Sequence, residues 1–254
     1  MIPAWPALIL VGLVCWDAWR LLAGRASDPA ELAMVALLAG GLVWRVGQLR
    51  DTQVHALPLA AILLCYALAS VAGPALLRIG LAAGAVLAVV TAGARLPRLP
   101  MFGLAALLLP ILPTLDFLLA YPLRRVSALI TVGLLRANGM DVGLNGVALE
   151  WQGQALLFDG PCSGVRMLWA ALVLASVAAL AGGQRPLAYA RTLLIAATIA
   201  ILGNALRAAS LFHIEQAGIE RLQGPVVHEA VGVVAFALVA AGLLAVLRPR
   251  WRPQ

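Results

Sequence analysis

The sequence predicts an all-α polytopic membrane protein with about eight transmembrane helices and a small extracytoplasmic segment before the sixth span. Three observations predict it. The 254-residue chain is 63% hydrophobic and 11% charged, with a mean hydropathy of +0.98, whereas soluble domains carry about 25% charged residues. Apolar runs of about 20 residues, enough to cross a hydrocarbon layer of about 30 Å, recur from end to end. All eighteen basic residues are arginine, and twelve of them fall outside the apolar runs, where membrane topology concentrates positive charge.

The runs fall at 5–23, 30–47, 56–73, 75–94, 101–120, 162–183, 187–210 and 226–247, broken by Gly, Pro and Arg. The first, within MIPAWPALILVGLVCWDAWRLLAG, has no basic leading segment and no small-residue cleavage site, so it is expected to persist as a span. Gly73-Pro74 and Arg78 alone separate the third run from the fourth. The Gly- and Ala-rich stretch from Gly80 to Gly93 predicts close helix approach. No internal repeat is visible, and the chain reads as a single membrane domain over 1–254, with N-terminal spans in 1–100.

Orientation follows from arginine. Arg45 and Arg50, Arg95 and Arg98, Arg185 and Arg191, and Arg248, Arg250 and Arg252 share one side of an eight-span arrangement, which makes both termini cytoplasmic. Arg20 and Arg25 fall opposite, offset by Asp17, Asp28 and Glu31, and Arg124 and Arg125 depart from the rule.

The polar interval 121–161 is then extracytoplasmic. YPLRRVSALITVGLLRANG has the spacing of an amphipathic interfacial helix. Val147 to Trp151 and Ala155 to Phe158, around Gln152-Gly153-Gln154, read as a short hairpin.

Several chemistries are excluded at once. Without lysine there is no Schiff base and no lysine base. The net charge of +7 lies in loop arginines with no basic stripe and interleaved aromatics, so no nucleic-acid partner is expected. Cys15, Cys65 and Cys162 form no paired spacing and no metal pattern with the three histidines; no disulfide, metal or cofactor is expected.

Polar side chains inside a membrane are costly and therefore candidates for function. Three fall on the outer face: Cys162 opening the sixth span, Arg207 near the outer end of the seventh, and His228 opening the eighth. This depends only on the parity of the last three spans. A thiol at a helix N-terminus is favoured as thiolate by the helix dipole, and Arg166, four residues on, adds positive charge on the same face. In the Pro-Cys-Ser-Gly turn, Pro161 and Gly164 suit a sharp entry into the helix and close approach by a substrate, with Ser163 between.

Asn204 and Arg207 in GNALRAASLF offer donors for a carbonyl or oxyanion. His228 leads a stripe continued by Gly232, small enough for tight packing, and Phe236, and can serve a cysteine as acid and base. The bland readings are a snorkelling arginine, a satisfied interfacial histidine and small hydrophobic cysteines. The last is assigned to Cys15 and Cys65; His55 and His213 read as interfacial, and Asp116, Asp159 and Glu229 as outer-face carboxylates.

PCSGVRML, NALRAA and HEAVGVVAF, in that order on three successive spans, resemble the signature of the exosortase/archaeosortase family, most clearly over 101–247, and of its bacterial exosortase branch in having a histidine. The resemblance implies a membrane cysteine protease or transpeptidase. Its substrates would be secreted proteins with a C-terminal tripartite sorting signal, a short motif such as Pro-Glu-Pro, a transmembrane helix and a basic tail. Carried over by motif, Cys162 is the nucleophile, Arg207 the essential arginine and His228 the third member, with Arg166, Asn204, Ser163 and Gly164 in support. It further implies a thioester intermediate, an acceptor amine or water, and a bacterial inner membrane with the site on its extracytoplasmic face. The rival class is a transporter or flippase in which the Arg and His groups bind an anion or relay protons.

Overall fold

The computed structural model describes residues 1–25, 52–92, 98–108, 111–157, 163–217 and 224–247. The expected second span at 30–47, Cys162, Asp159 and the arginines at 45, 50, 95, 248, 250 and 252 lie outside the described residues. The chain divides into two compact units, Met1–Ile111 and Leu112–Gln254.

In the first unit, β1 (Ile2–Pro3) pairs antiparallel with β2 (Gln53–Val54), Ile2 opposite Val54. Between them in sequence come α1 (Ala4–Val14) and α2 (Trp16–Arg25); after β2 come α3 (Ala56–Ala72), α4 (Ala75–Val90) and α5 (Arg98–Leu108). The expected first span is not one straight helix: α1 and α2 meet at 63°. A single stripe of Ala4, Ala7, Val11, Cys15 and Ala18 stays buried through the bend, in one core with Leu59, Tyr66, Ile79, Ala82, Ala85 and Val89. The bend interrupts the helical ladder at the start of α2, and the Ala18 N–H donates instead to the Tyr66 hydroxyl at 3.3 Å. Arg78 pairs with Asp17 at 2.7 Å, a charge that the sequence reading had set against Arg20 and Arg25. Cys15 is buried, as a small hydrophobe would be, while Cys65 is exposed.

The second unit holds α6 (Leu112–Ala137), the meander β3 (Gly143–Asn145), β4 (Ala148–Trp151) and β5 (Gln154–Leu157), and then α7 (Val165–Ala181), α8 (Pro186–Gln216) and α9 (Pro225–Leu247). Helix α6 corrects an expectation. Where a span ending near 120 and a separate interfacial helix were expected, one 26-residue helix runs through Pro122. Ala128, Val132 and Leu135 on its later half bury against Ala208, Ala209 and Phe212 of α8, which holds that half in the bundle.

The hairpin is present, β4 with β5, Leu149 opposite Leu156, and β3 adds a third antiparallel strand. Gln152 (φ 49°) and Gly153 (φ 79°) form its two-residue turn, both in the left-handed region that such tight hairpins require. The Trp151 ring meets Phe212 edge-on at 5.9 Å, seating the meander on α8.

Helix α8 touches α6, α7 and α9. Its contacts with α7 and α9 are lined by small residues, Ala171, Ala175 and Ala178 against Ala196 and Ala200, with Ala235, Val239 and Leu243 from α9, the composition by which apolar helices approach closely without water. Gly203 is the tightest point. A Cβ there would collide with Val239 Cγ2, and a β-branched side chain has little freedom to yield. Gly203→Ala is expected to destabilise the protein by about 1–3 kcal/mol, whereas Gly242→Ala, with nothing within 4 Å, is expected to be neutral or slightly stabilising. Thermal unfolding of the two variants in one detergent makes the comparison.

Among the described residues, three helices are long and apolar enough to cross a membrane, α6, α8 and most of α9, or four if the bent α1–α2 pair is one span. Three shorter apolar helices, α3, α4 and α7, follow the runs expected at 56–73, 75–94 and 162–183. The molecule is thus an all-α membrane protein with a small meander, but these helices do not establish a count of eight.

Candidate functional site

The direction of the helices assembles the site. Gly164, at the start of α7, touches Asn204 of α8, and Ser176, twelve residues later, meets Tyr189, earlier in α8. Helix α9 shows the same reversal, with Val239 at Gly203 and Gly232 at Arg207. Both α7 and α9 are therefore antiparallel to α8, and their N-terminal ends meet its C-terminal half. Gly164 and Gly232 stand level with α8 positions three residues apart, about 4.5 Å along its axis.

Gly164 is the N-cap of α7, with φ 79° and ψ −1°. An L side chain is strained there, and a Cβ would also lie 2.7 Å from Asn204 Nδ2 and 2.8 Å from its Cγ, so the position excludes a side chain twice over. The sequence reading reserved this close approach for a substrate; the neighbour is Asn204. Ser163 is buried, and its Oγ accepts the Val165 N–H at 3.4 Å. Arg166, in the first turn of α7, is exposed.

Asn204 is only 2% exposed, and its Nδ2 donates to Ser127 Oγ of α6 at 3.0 Å. Thr131, one turn along α6, has its Oγ1 2.8 Å from the Ser127 carbonyl oxygen and 3.2 Å from that of Ala205. Sequence reasoning passed over Ser127 and Thr131. Their signal was a pair of small hydroxyls four residues apart on one face of an apolar helix, a pattern that joins membrane helices.

Arg207 faces elsewhere. Three residues after Asn204 is about 60° around a helix, and this turns its guanidinium toward α9. There it lies on Gly232, where a Cβ would come within 3.3 Å of Nε and 3.4 Å of Cζ and Nη2. The neighbouring span that Gly232 was expected to admit is thus represented by an arginine side chain. Arg207 and Ser210 are the polar members of an otherwise apolar cleft of about 250 Å³ between α8 and α9, lined also by Leu206, Val231 and Val234. His228 lies in the first turn of α9, half-buried, one helical turn before Gly232 on the same stripe. His213 is exposed, with its ring edge-on to Phe212 at 6.2 Å. His55, Asp116 and Glu229 are exposed as well.

Among the described residues no group of three His, Cys, Asp or Glu side chains gathers to hold a metal ion. At this end of the bundle Gly164 of α7 lies on Asn204 and Gly232 of α9 on Arg207, with His228 one helical turn before Gly232.

Gly232→Ala would push the guanidinium by a few tenths of an ångström without touching the backbone. If the placement of Arg207 matters to the reaction, activity is expected to fall roughly tenfold, since small displacements of positioning groups are expensive. Thermal stability should hold. Unchanged turnover in a purified-enzyme assay would show that Gly232 does not position the arginine.

Helices long and apolar enough to cross a bilayer mark an integral membrane protein. The chain matches the transmembrane exosortase family (Exosortase_EpsH) over residues 4–245, nearly its whole length, and it belongs to that family. Among curated proteins and solved structures, none matches the chain.

Proposed function

We propose that the protein is a cysteine-dependent protease or transpeptidase. It acts on secreted proteins held in the membrane by a C-terminal sorting signal. The observation that supports this most is that α7 and α9 both run antiparallel to α8, with Gly164 on Asn204 and Gly232 on Arg207, three residues apart on α8. Cys162 stands two residues before Gly164 in sequence, and membership of the exosortase family agrees with this reading.

In the proposed reaction the Cys162 thiol gives its proton to His228, and the sulfur attacks the carbonyl carbon at the sorting motif. The carbonyl oxygen takes the negative charge, which Arg207 stabilises from the cleft. When the intermediate collapses, the carbon–nitrogen bond breaks and His228 returns the proton to the leaving amine. An acceptor amine or water then attacks the thioester and releases Cys162. The membrane is that of the bacterial cytoplasm, with the reaction at its outer face. The short apolar cleft beside Arg207 suits a substrate that arrives sideways, anchored by its own helix.

Trapping tests this directly. A tagged substrate incubated with the purified protein and quenched in acid should yield a covalent adduct that hydroxylamine cleaves and that Cys162→Ala does not form. Full activity after complete alkylation of Cys162 would instead favour a transporter.

A further inference from the structure

We propose that Ser127 of α6, acting through Asn204, is a positioning residue for Gly164, on which the chain enters α7 two residues after Cys162 in sequence; the role of Cys162 itself rests on the function proposed above. Ser127 and Thr131 are both 0% exposed, on a helix long and apolar enough to cross a membrane, and neither has a place in the chemistry described so far. A hydroxyl in that setting is costly unless bonded.

Ser127 Oγ accepts the Asn204 Nδ2–H at 3.0 Å, which fixes the rotation of the amide. The amide so held lies against Gly164, close enough that no Cβ fits between them. Gly164 is the left-handed residue on which the chain turns into α7, and its carbonyl oxygen accepts the first helical bond, from the Leu168 N–H at 2.9 Å. Thr131 ties the same stretch of α6 to the Ala205 carbonyl at 3.2 Å, which keeps Ser127 in register with Asn204. The series runs Ser127, Asn204, Gly164, and it ends two residues after Cys162 in sequence. This gives Asn204 a positioning role.

Hydroxyl and amide pairs also serve simply to glue membrane helices together, and the test separates the two roles. In full-length protein with Cys15→Ala and Cys65→Ala, so that Cys162 is the remaining thiol, two quantities are measured. One is the alkylation rate of Cys162 by a water-soluble maleimide at neutral pH; the other is kcat and KM for processing of a sorting-signal substrate. Ser127→Ala and Asn204→Ala are each expected to change the alkylation rate and kcat by about tenfold, with KM little altered, as a displaced reacting group requires. The double variant should be no worse than the worse single, because the residues act in series, and Ser127→Thr should restore most of the loss.

A lowered melting temperature with unchanged alkylation and kcat overturns the proposal, as do single effects that multiply in the double variant. If Ser127→Ala does not fold, Asn204→Ser is read in the same way. The underlying reading fails separately: if Cys162→Ala still processes substrate while Ser127→Ala changes the alkylation of Cys162, the positioning stands and the cysteine mechanism falls.

Discussion

Cys162→Ala is expected to lower processing by more than about 10³-fold, since loss of a covalent nucleophile removes the step that all later steps need. The variant should still insert and unfold at the same temperature. His228→Ala should approach the same loss, because nucleophile and base act as a unit and their effects do not add; the double variant should be scarcely worse than either single. Processing in cells that lack the native gene, read as the ratio of mature to precursor substrate, gives the first two losses. Cys162→Ser is the sharper control: it keeps size and polarity but gives a far weaker nucleophile near neutral pH. Full processing by both Cys162 variants would sink the cysteine mechanism.

Arg207→Ala is expected to cost about 10²–10³ in kcat, the usual loss for removing a donor aimed at a developing oxyanion. The effect on KM should be small if the contact strengthens only as charge develops. Arg207→Lys should recover little, because a compact ammonium on a flexible stem does not reproduce the planar guanidinium that lies flat on Gly232. Equal losses in Arg207→Ala and Arg207→Lys, with the melting temperature preserved, would mark a geometric role. A large rise in KM with kcat unchanged would place the arginine in ground-state binding instead.

Much of the helical framework was legible, for reasons visible in particular residues. Ala56–Ala72, Ala75–Val90 and Pro225–Leu247 lie close to the apolar runs that announced them, because in a membrane every backbone group must bond within its own segment and apolar length alone selects a helix. The hairpin was legible for another reason: two strand-like runs flank Gln152-Gly153-Gln154, of which the structure uses only Gln152 and Gly153 for the turn.

Three features escaped. The bend at Cys15 is supported by the Tyr66 hydroxyl, which accepts the N–H of Ala18, forty-eight residues before it. Helix α6 passes through Pro122 because α8 holds its later half. Asn204 and Arg207 read alike as donors three residues apart, yet one turns to α6 and α7 and the other to α9.

The sequence by itself determined that this chain lives in a membrane, roughly where the helices Ala56–Ala72, Ala75–Val90, Val165–Ala181 and Pro225–Leu247 lie, and that PCSGVRML, NALRAA and HEAVGVVAF resemble the family to which it belongs. Those are local properties, set by hydropathy, by turn chemistry and by the identity of a few side chains. Only the tertiary structure decided which of those side chains work on one another. Gly164 is filled by Asn204, Gly232 by Arg207, and Asn204 is held by Ser127. Each contact joins residues far apart in sequence, and its geometry depends on the azimuth at which one helix meets the next. A shift of one residue turns a helix by about 100°, and no local pattern carries that angle across a loop.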